Sequence, residues 1–201
     1  VGWEMLNKIQ FITAIQNTVF NQTDWNTAAD NLAIAIDNYY KSGVVETSVT
    51  GTVTPPFPAS PYTAYGKGKG SPVTTTLSTL KVQCRLAFQQ TDWNQVGPYI
   101  ASEINNLILN STLNTTLTAN APAYILVGSG VGASITTPGS TALSTNLNSI
   151  FSQNNTIWDI IASDIADEVD NFIKQAVFTT NDNGSVPVNS WVGTGSGSIT
   201  S

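Results

Sequence analysis

The residues with chemical potential in this chain are few, and the clearest of them repeat. Asp24 and Asp92 stand beside tryptophans in two copies of one pentapeptide, Gln22-Thr23-Asp24-Trp25-Asn26 and Gln90-Thr91-Asp92-Trp93-Asn94; a looser copy runs Asn155-Thr156-Ile157-Trp158-Asp159. A carboxylate at such a place is a candidate acid or base, but at the start of a helix it more simply caps free amides and offsets the helix dipole. The chain contains no histidine. That removes His-based acid–base catalysis, the usual Ser and Cys triads and most zinc sites together. Asp164, Asp167, Glu168 and Asp170 are the one acidic cluster, yet four acids on one helix lack the alternating loop oxygens of a calcium site and read as a solvated face or a contact for a basic partner. Lys67 and Lys69, set between Gly66, Gly68 and Gly70, suggest a phosphate cradle. No Gly-Lys-Ser/Thr signature follows, and the corresponding positions elsewhere hold Ser129, Val131, Thr194 and Ser196, so the shared requirement is for backbone rather than for a cation. No catalytic residue, cofactor or metal is expected.

The elements that carry these residues follow from the repeat. Behind each tryptophan the likeness continues through Ile36-Asp37-Asn38, Ile104-Asn105-Asn106 and Val169-Asp170-Asn171, and each copy ends in a tract of alternate glycines: Gly66, Gly68 and Gly70; Gly128, Gly130 and Gly132; Gly193, Gly195 and Gly197. A period of about 65 residues decides architecture before any short motif does. Leu6, Ile9, Ile12, Ile15 and Phe20 are spaced as one helix face, and Trp25, Ala29, Leu32, Ala33, Ile36 and Tyr40 as a second, with Thr23 placed to cap it and Ser42-Gly43 to end it. Val45, Thr47, Val49, Gly51 and Val53 then alternate as in a strand. Leu80, Val82, Leu86 and Phe88 begin the second copy; its second helix carries Trp93, Val96, Ile100, Ile104 and Leu107, with Pro98 in the first turns as a possible delay or bend. Leu143, Leu147, Ile150 and Phe151, then Trp158, Ile161, Ile165, Val169 and Phe172, repeat the pattern in the third.

The expected fold is therefore α+β, with three tandem modules over residues 1–76, 77–137 and 138–201. Each is an αα-hairpin followed by a strand, a Gly-x-Gly-x-Gly tract and a second short strand. Modules of this size hold little core alone and should pack on one another or on other subunits. The repeated tryptophans are expected in module cores. The glycine tracts, bare on one backbone face, are expected to admit a neighbouring chain, and Trp3 and Trp191 to anchor subunits. Pro55, Phe57, Tyr62 and Tyr65 lie in a proline-rich stretch suited to lying across a partner.

Composition narrows the class. Only 10% of the 201 residues are charged, and the net charge is −6. Phosphate neutralisation needs clustered Lys or Arg, so a nucleic-acid partner is disfavoured. No apolar run is long enough to span a membrane, and the opening Val1-Gly2-Trp3-Glu4 lacks the pattern of a secretion signal, as it would if a signal had been removed. The single Cys84 sits among apolar neighbours and reads as an inert buried thiol. Sequons at Asn21, Asn110, Asn114, Asn154 and Asn183 are expected by chance in so Asn-, Ser- and Thr-rich a chain. A sparsely charged surface suits dense, ordered association.

In this Asn/Thr/Ser/Gly-rich, histidine-free style, and in the terminal tract Gly193-Thr194-Gly195-Ser196-Gly197-Ser198-Ile199, the chain resembles small virion structural proteins of tailed bacteriophages. The resemblance implies a non-enzymatic place in the capsid, the neck or head–tail connector, or the tail and baseplate, with other virion proteins as partners; the three copies in one chain, for their part, suggest a homo-oligomer or ring of pseudo-threefold character. A secreted or cell-surface self-assembling repeat protein and a glycan-binding module are the alternatives. The last of these requires exposed tryptophans around a concave site.

Overall fold

Stretches with apolar residues every three or four positions form helices and stretches of alternating character form strands in the computed structural model, which describes residues 7–54, 61–121, 124–153, 158–186 and 189–200. The helices are α1 (Lys8–Ala14, extended by a π-helical turn, Ile15–Val19), α2 (Trp25–Ser42), α3 (Leu77–Phe88), α4 (Val96–Leu109), α5 (Thr141–Phe151) and α6 (Trp158–Lys174). The strands are β1 (Val44–Thr54), β2 (Tyr62–Gly70), the two-residue β3 (Pro72–Val73), β4 (Thr112–Ala121), β5 (Tyr124–Thr136), β6 (Val177–Val186) and β7 (Asn189–Thr200).

Local chemistry sets the helix ends. Asp24, and not Thr23, is the N-cap of α2: its carboxylate accepts from the amides of Asn26 at 3.3 Å and Thr27 at 2.9 Å. Asp92 accepts from the Asn94 amide at 3.0 Å, but here a short 3₁₀ turn, Trp93–Gln95, precedes α4. Pro98 falls in the first turn of α4, where its missing N–H costs no hydrogen bond.

The strands form one sheet that closes. β1 pairs with β2 and β7, β2 with β4, β4 with β5, β5 with β6, and β6 with β7, all antiparallel, so six strands make a barrel while β3 adds a short pairing outside β4. Helices follow the same cyclic order: α2 packs on α3, α3 on α4, α4 on α5, α5 on α6, and α6 returns to α1. The result is a ring of helices seated on one mouth of a barrel, each repeat contributing two helices and two adjacent barrel strands.

This overturns the expectation of three tandem modules. A single strand pair leaves two unpaired edges and a single helical hairpin one bare apolar face. Joining the pairs edge to edge removes every edge of the six-stranded wall at once, which three separate small sheets could not do. The core is correspondingly shared: Phe11, Leu32, Tyr40, Leu80, Ile104, Leu147 and Val169 from all three repeats belong to one buried cluster, together with Val45, Leu113, Phe178 and Ile199 at the near end of the barrel. Side-chain bonds also cross between repeats. Arg85 holds Asp30 through two contacts of 2.6 Å, the Tyr39 hydroxyl donates to Asp170 at 2.6 Å, and the Gly97 amide donates to Asn148 Oδ1 at 2.6 Å.

Nor are the glycine tracts links between two strands. Gly66, Gly68 and Gly70 lie within β2, Gly128, Gly130 and Gly132 within β5, and Gly193, Gly195 and Gly197 within β7, and each of these strands already has a paired neighbour on both sides in the wall. The expected bare edge for a partner strand is thus filled by the chain itself. The reason for glycine is space. Six strands enclose less room than the eight that leave an interior just wide enough for side chains. Over the span of the glycine tracts, inward side chains of β1, β4 and β6 fill the lumen while the glycines between them contribute no side-chain volume. A β-carbon on Gly68 would collide with Thr47 Oγ1, and one on Gly195 would lie 2.5 Å from Thr180 Oγ1.

Candidate functional site

At the end of the helix ring away from the barrel, the starts of α2, α4 and α6 meet the ends of the π-helical turn, α3 and α5. Each first helix finishes in a Phe-x-Gln, at Phe20-Asn21-Gln22, Phe88-Gln89-Gln90 and Phe151-Ser152-Gln153, and each second helix begins near its tryptophan. The rings interlock across repeats. Trp25 meets Phe88 edge to face at 6.1 Å, Trp93 stacks on Phe151 at 6.2 Å and 11°, and Trp158 stacks on Phe20 at 4.8 Å and 26°. Each of these three tryptophans therefore packs on the phenylalanine of the next repeat, and the third packs back on the first. A cavity of about 250 Å³ opens among them, lined by Phe20, Phe88 and Phe151, by Trp25, Trp93 and Trp158, and by Val19, Ala28, Ile161, Gln22 and Gln153.

The tryptophans are not module cores. Trp25 is 56% exposed, Trp158 50% and Trp93 39%. They were expected inside because their spacing continues each buried helix stripe, but they begin the helix, one turn beyond the point where the neighbouring helices still cover that stripe. Partner rings hold each indole, by stacking for Trp93 and Trp158 and edge to face for Trp25, and all three border the cavity. No carboxylate, lysine or arginine lines the cavity among the described residues, and Gln22 and Gln153 supply side-chain amides to it. The arrangement is suited to apolar contact and stacking, with amides to orient what enters.

The acidic groups nearby serve the scaffold. Hydrogen bonds from the Thr27 hydroxyl and amide hold the Asp24 carboxyl below its ordinary pKa, and the Arg85 guanidinium does the same for Asp30. Asp167 pairs with Lys8 at 2.7 Å, Glu168 accepts from Asn146 at 2.6 Å, and Asp170 is buried against Tyr39 and Lys174. The acids of α6 are thereby divided between different partners, and no group of three metal-ligating side chains forms among the described residues. Cys84 is fully buried, and burial pushes its thiol pKa up.

The other residues singled out in the sequence are dispersed. Trp3, Pro55 and Phe57 lie outside the described residues. Tyr65 is exposed on the outer barrel wall, whereas Tyr62 packs partly into the far end of the barrel. Trp191, expected to anchor a subunit, is 1% exposed and fills the lumen beside Val49, Val53, Ala64 and Leu117. It faces inward because alternation on β7 puts it on the same side as Gly193, Gly195 and Gly197, and Gly51 opposite leaves room for the indole. The phenylalanines of the cavity went unremarked as site residues; the repeated Phe-x-Gln was their signal. No family model, curated protein or solved structure matches the chain.

Proposed function

We propose that the protein is a non-enzymatic structural component of a large assembly, with a phage virion as its setting, and that the aromatic cavity is the socket through which it holds a neighbouring protein. The observation that carries this reading is the exposure of three tryptophans around one cavity. Rings of this size left half in water at a concave site are the usual anchors of an interface, where desolvating them contributes much of the binding energy. A lining of apolar surface with two amides favours an apolar or aromatic side chain from a partner over a charged group. The low charge of the chain, 10% of residues, fits close packing among other subunits.

Electron microscopy of the native assembly, compared with the purified protein, tests the proposal. A ring, lattice or particle in which a neighbour's side chain enters the cavity is the expected result. Native particles without density for this protein, or with its cavity facing open solvent, would overturn it. A second reading, glycan binding at the cell surface or on a virion, is favoured by the same exposed indoles beside Gln22 and Gln153. It predicts tryptophan fluorescence changes on titration with oligosaccharides and loss of that response in Trp25→Ala/Trp158→Ala; a flat titration would dispose of it.

A further inference from the structure

The barrel lumen contains a polar layer that the aromatic socket does not use. Thr47, Thr115 and Thr180 occupy corresponding places on β1, β4 and β6, and all three side chains are buried. Two residues further along each strand stand Val49, Leu117 and Asp182, so one repeat puts a carboxylate where the others put aliphatic groups. Asp182 is 2% exposed. Its Oδ2 accepts from the Thr180 hydroxyl at 2.9 Å, but among the described residues its Oδ1 has no hydrogen-bond partner, and neither have Thr47 Oγ1 and Thr115 Oγ1.

These oxygens converge beside the middle glycines of the three tracts. A β-carbon on Gly130 would collide with both Asp182 Oδ1 and Thr115 Oγ1. On Gly195 it would lie 2.5 Å from Thr180 Oγ1 and 2.8 Å from Asp182 Oδ2, and on Gly68 it would meet the hydroxyls of Thr47 and Thr115. The layer is closed on both sides: Val45, Leu113, Phe178 and Ile199 lie toward the helices, while Val53, Ala64 and Trp191 lie toward the far mouth. An ionised carboxylate removed from water costs several kcal/mol unless something of opposite charge accompanies it. Among the described residues no Lys or Arg is buried in the lumen.

We propose that the barrel binds a monovalent alkali cation, sodium or potassium, through the Asp182 carboxylate and the hydroxyl oxygens of Thr47, Thr115 and Thr180. The donors are all oxygen, which selects hard cations. One carboxylate among neutral hydroxyls balances a single positive charge, whereas calcium and magnesium sites draw on more carboxylate or on retained waters.

The test is thermal unfolding of the full chain, refolded and dialysed into the chloride of sodium, potassium or N-methylglucamine at equal ionic strength. The melting temperature should be higher by about 5 °C in one alkali chloride than in N-methylglucamine chloride, and should rise with the logarithm of its concentration. Asp182→Asn should remove that dependence. A crystal grown with thallium(I) or rubidium should show an anomalous peak between Asp182 and the threonines, which decides the matter even where the variant fails to fold. Equal melting temperatures in all three salts with no peak would overturn the proposal. So would a site holding only a protonated acid and water. Burial raises the pKa of Asp182, so without a cation the folded state binds the proton more tightly, and stability falls as pH rises through the interval between the unfolded and folded pKa values. Tyr62, the other side chain packed against the lumen that carries an ionisable group among the described residues, has its hydroxyl buried at the far end of the barrel, level with Val53.

Discussion

Tryptophan occurs here under two opposite constraints. Trp191 is enclosed by barrel side chains and is 1% exposed, while Trp25 has a phenylalanine against one edge and the cavity beyond it, at 56% exposure. Trp191→Ala should therefore lower the free energy of unfolding by about 3–5 kcal/mol, the loss typical of a large buried ring. Trp25→Ala should cost about 1 kcal/mol or less. Urea titration of both variants checks this, and equal losses would contradict the placement. A single added methyl should act in the same manner. Gly130→Ala brings a β-carbon onto the Asp182 carboxylate and the Thr115 hydroxyl, and overpacking of this kind costs about 1–3 kcal/mol. The alternating glycines carry no chemistry of their own; they make room for the oxygens of the neighbouring strands.

Helix-to-helix bonds give each element a defined partner. Tyr39 on α2 donates to Asp170 on α6 at 2.6 Å and stacks on Phe11 of α1 at 4.5 Å, so one side chain ties the first repeat to the third. Tyr39→Phe keeps the ring and removes the donor to a buried carboxylate. The expected loss is about 1.5–3 kcal/mol, read from the chemical denaturation midpoint. The start of α2 should be sensitive to acid. The Asp24 carboxyl has its pKa lowered in the fold, so its contribution is fully present above the unfolded value near 4 and is lost as pH falls through the folded value. Asp24→Ala should lower the melting temperature at neutral pH and flatten its decline in acid; a variant that titrates like the parent would show that the cap contributes nothing.

For the whole molecule, a barrel and a helix ring that both close by joining all three repeats leave no repeat able to unfold alone. Circular dichroism and tryptophan fluorescence should report one coincident unfolding transition, and residues 77–137 produced alone should be unfolded. The cyclic order of elements gives a stronger test. A chain whose ends are joined through a flexible linker and which is opened at Gly139, where φ is 85° and nothing lies within 4 Å of an added β-carbon, is cut outside every described helix and strand. It should fold with a melting temperature near that of the parent, whereas three independent modules would be cut between domains and show three transitions.

The sequence by itself determined the paired helices and the first strand of each repeat, their threefold recurrence and the alternation of those strands, because these follow from the spacing of apolar residues along a local backbone. Val45, Thr47 and Val49 face one way by that rule alone. It could not determine whether each repeat closed on itself or joined the next, since a strand edge has the same sequence whether its partner is near or distant in the chain. Tertiary structure decided that: β2 pairs with β4 and β1 with β7. Closure then moved the glycine tracts from presumed partner edges into the wall, and Trp191 from presumed surface anchor into the lumen. It also set the stripe-forming Trp25, Trp93 and Trp158 at helix starts that nothing fully covers, so that one cavity is built from residues about 65 positions apart.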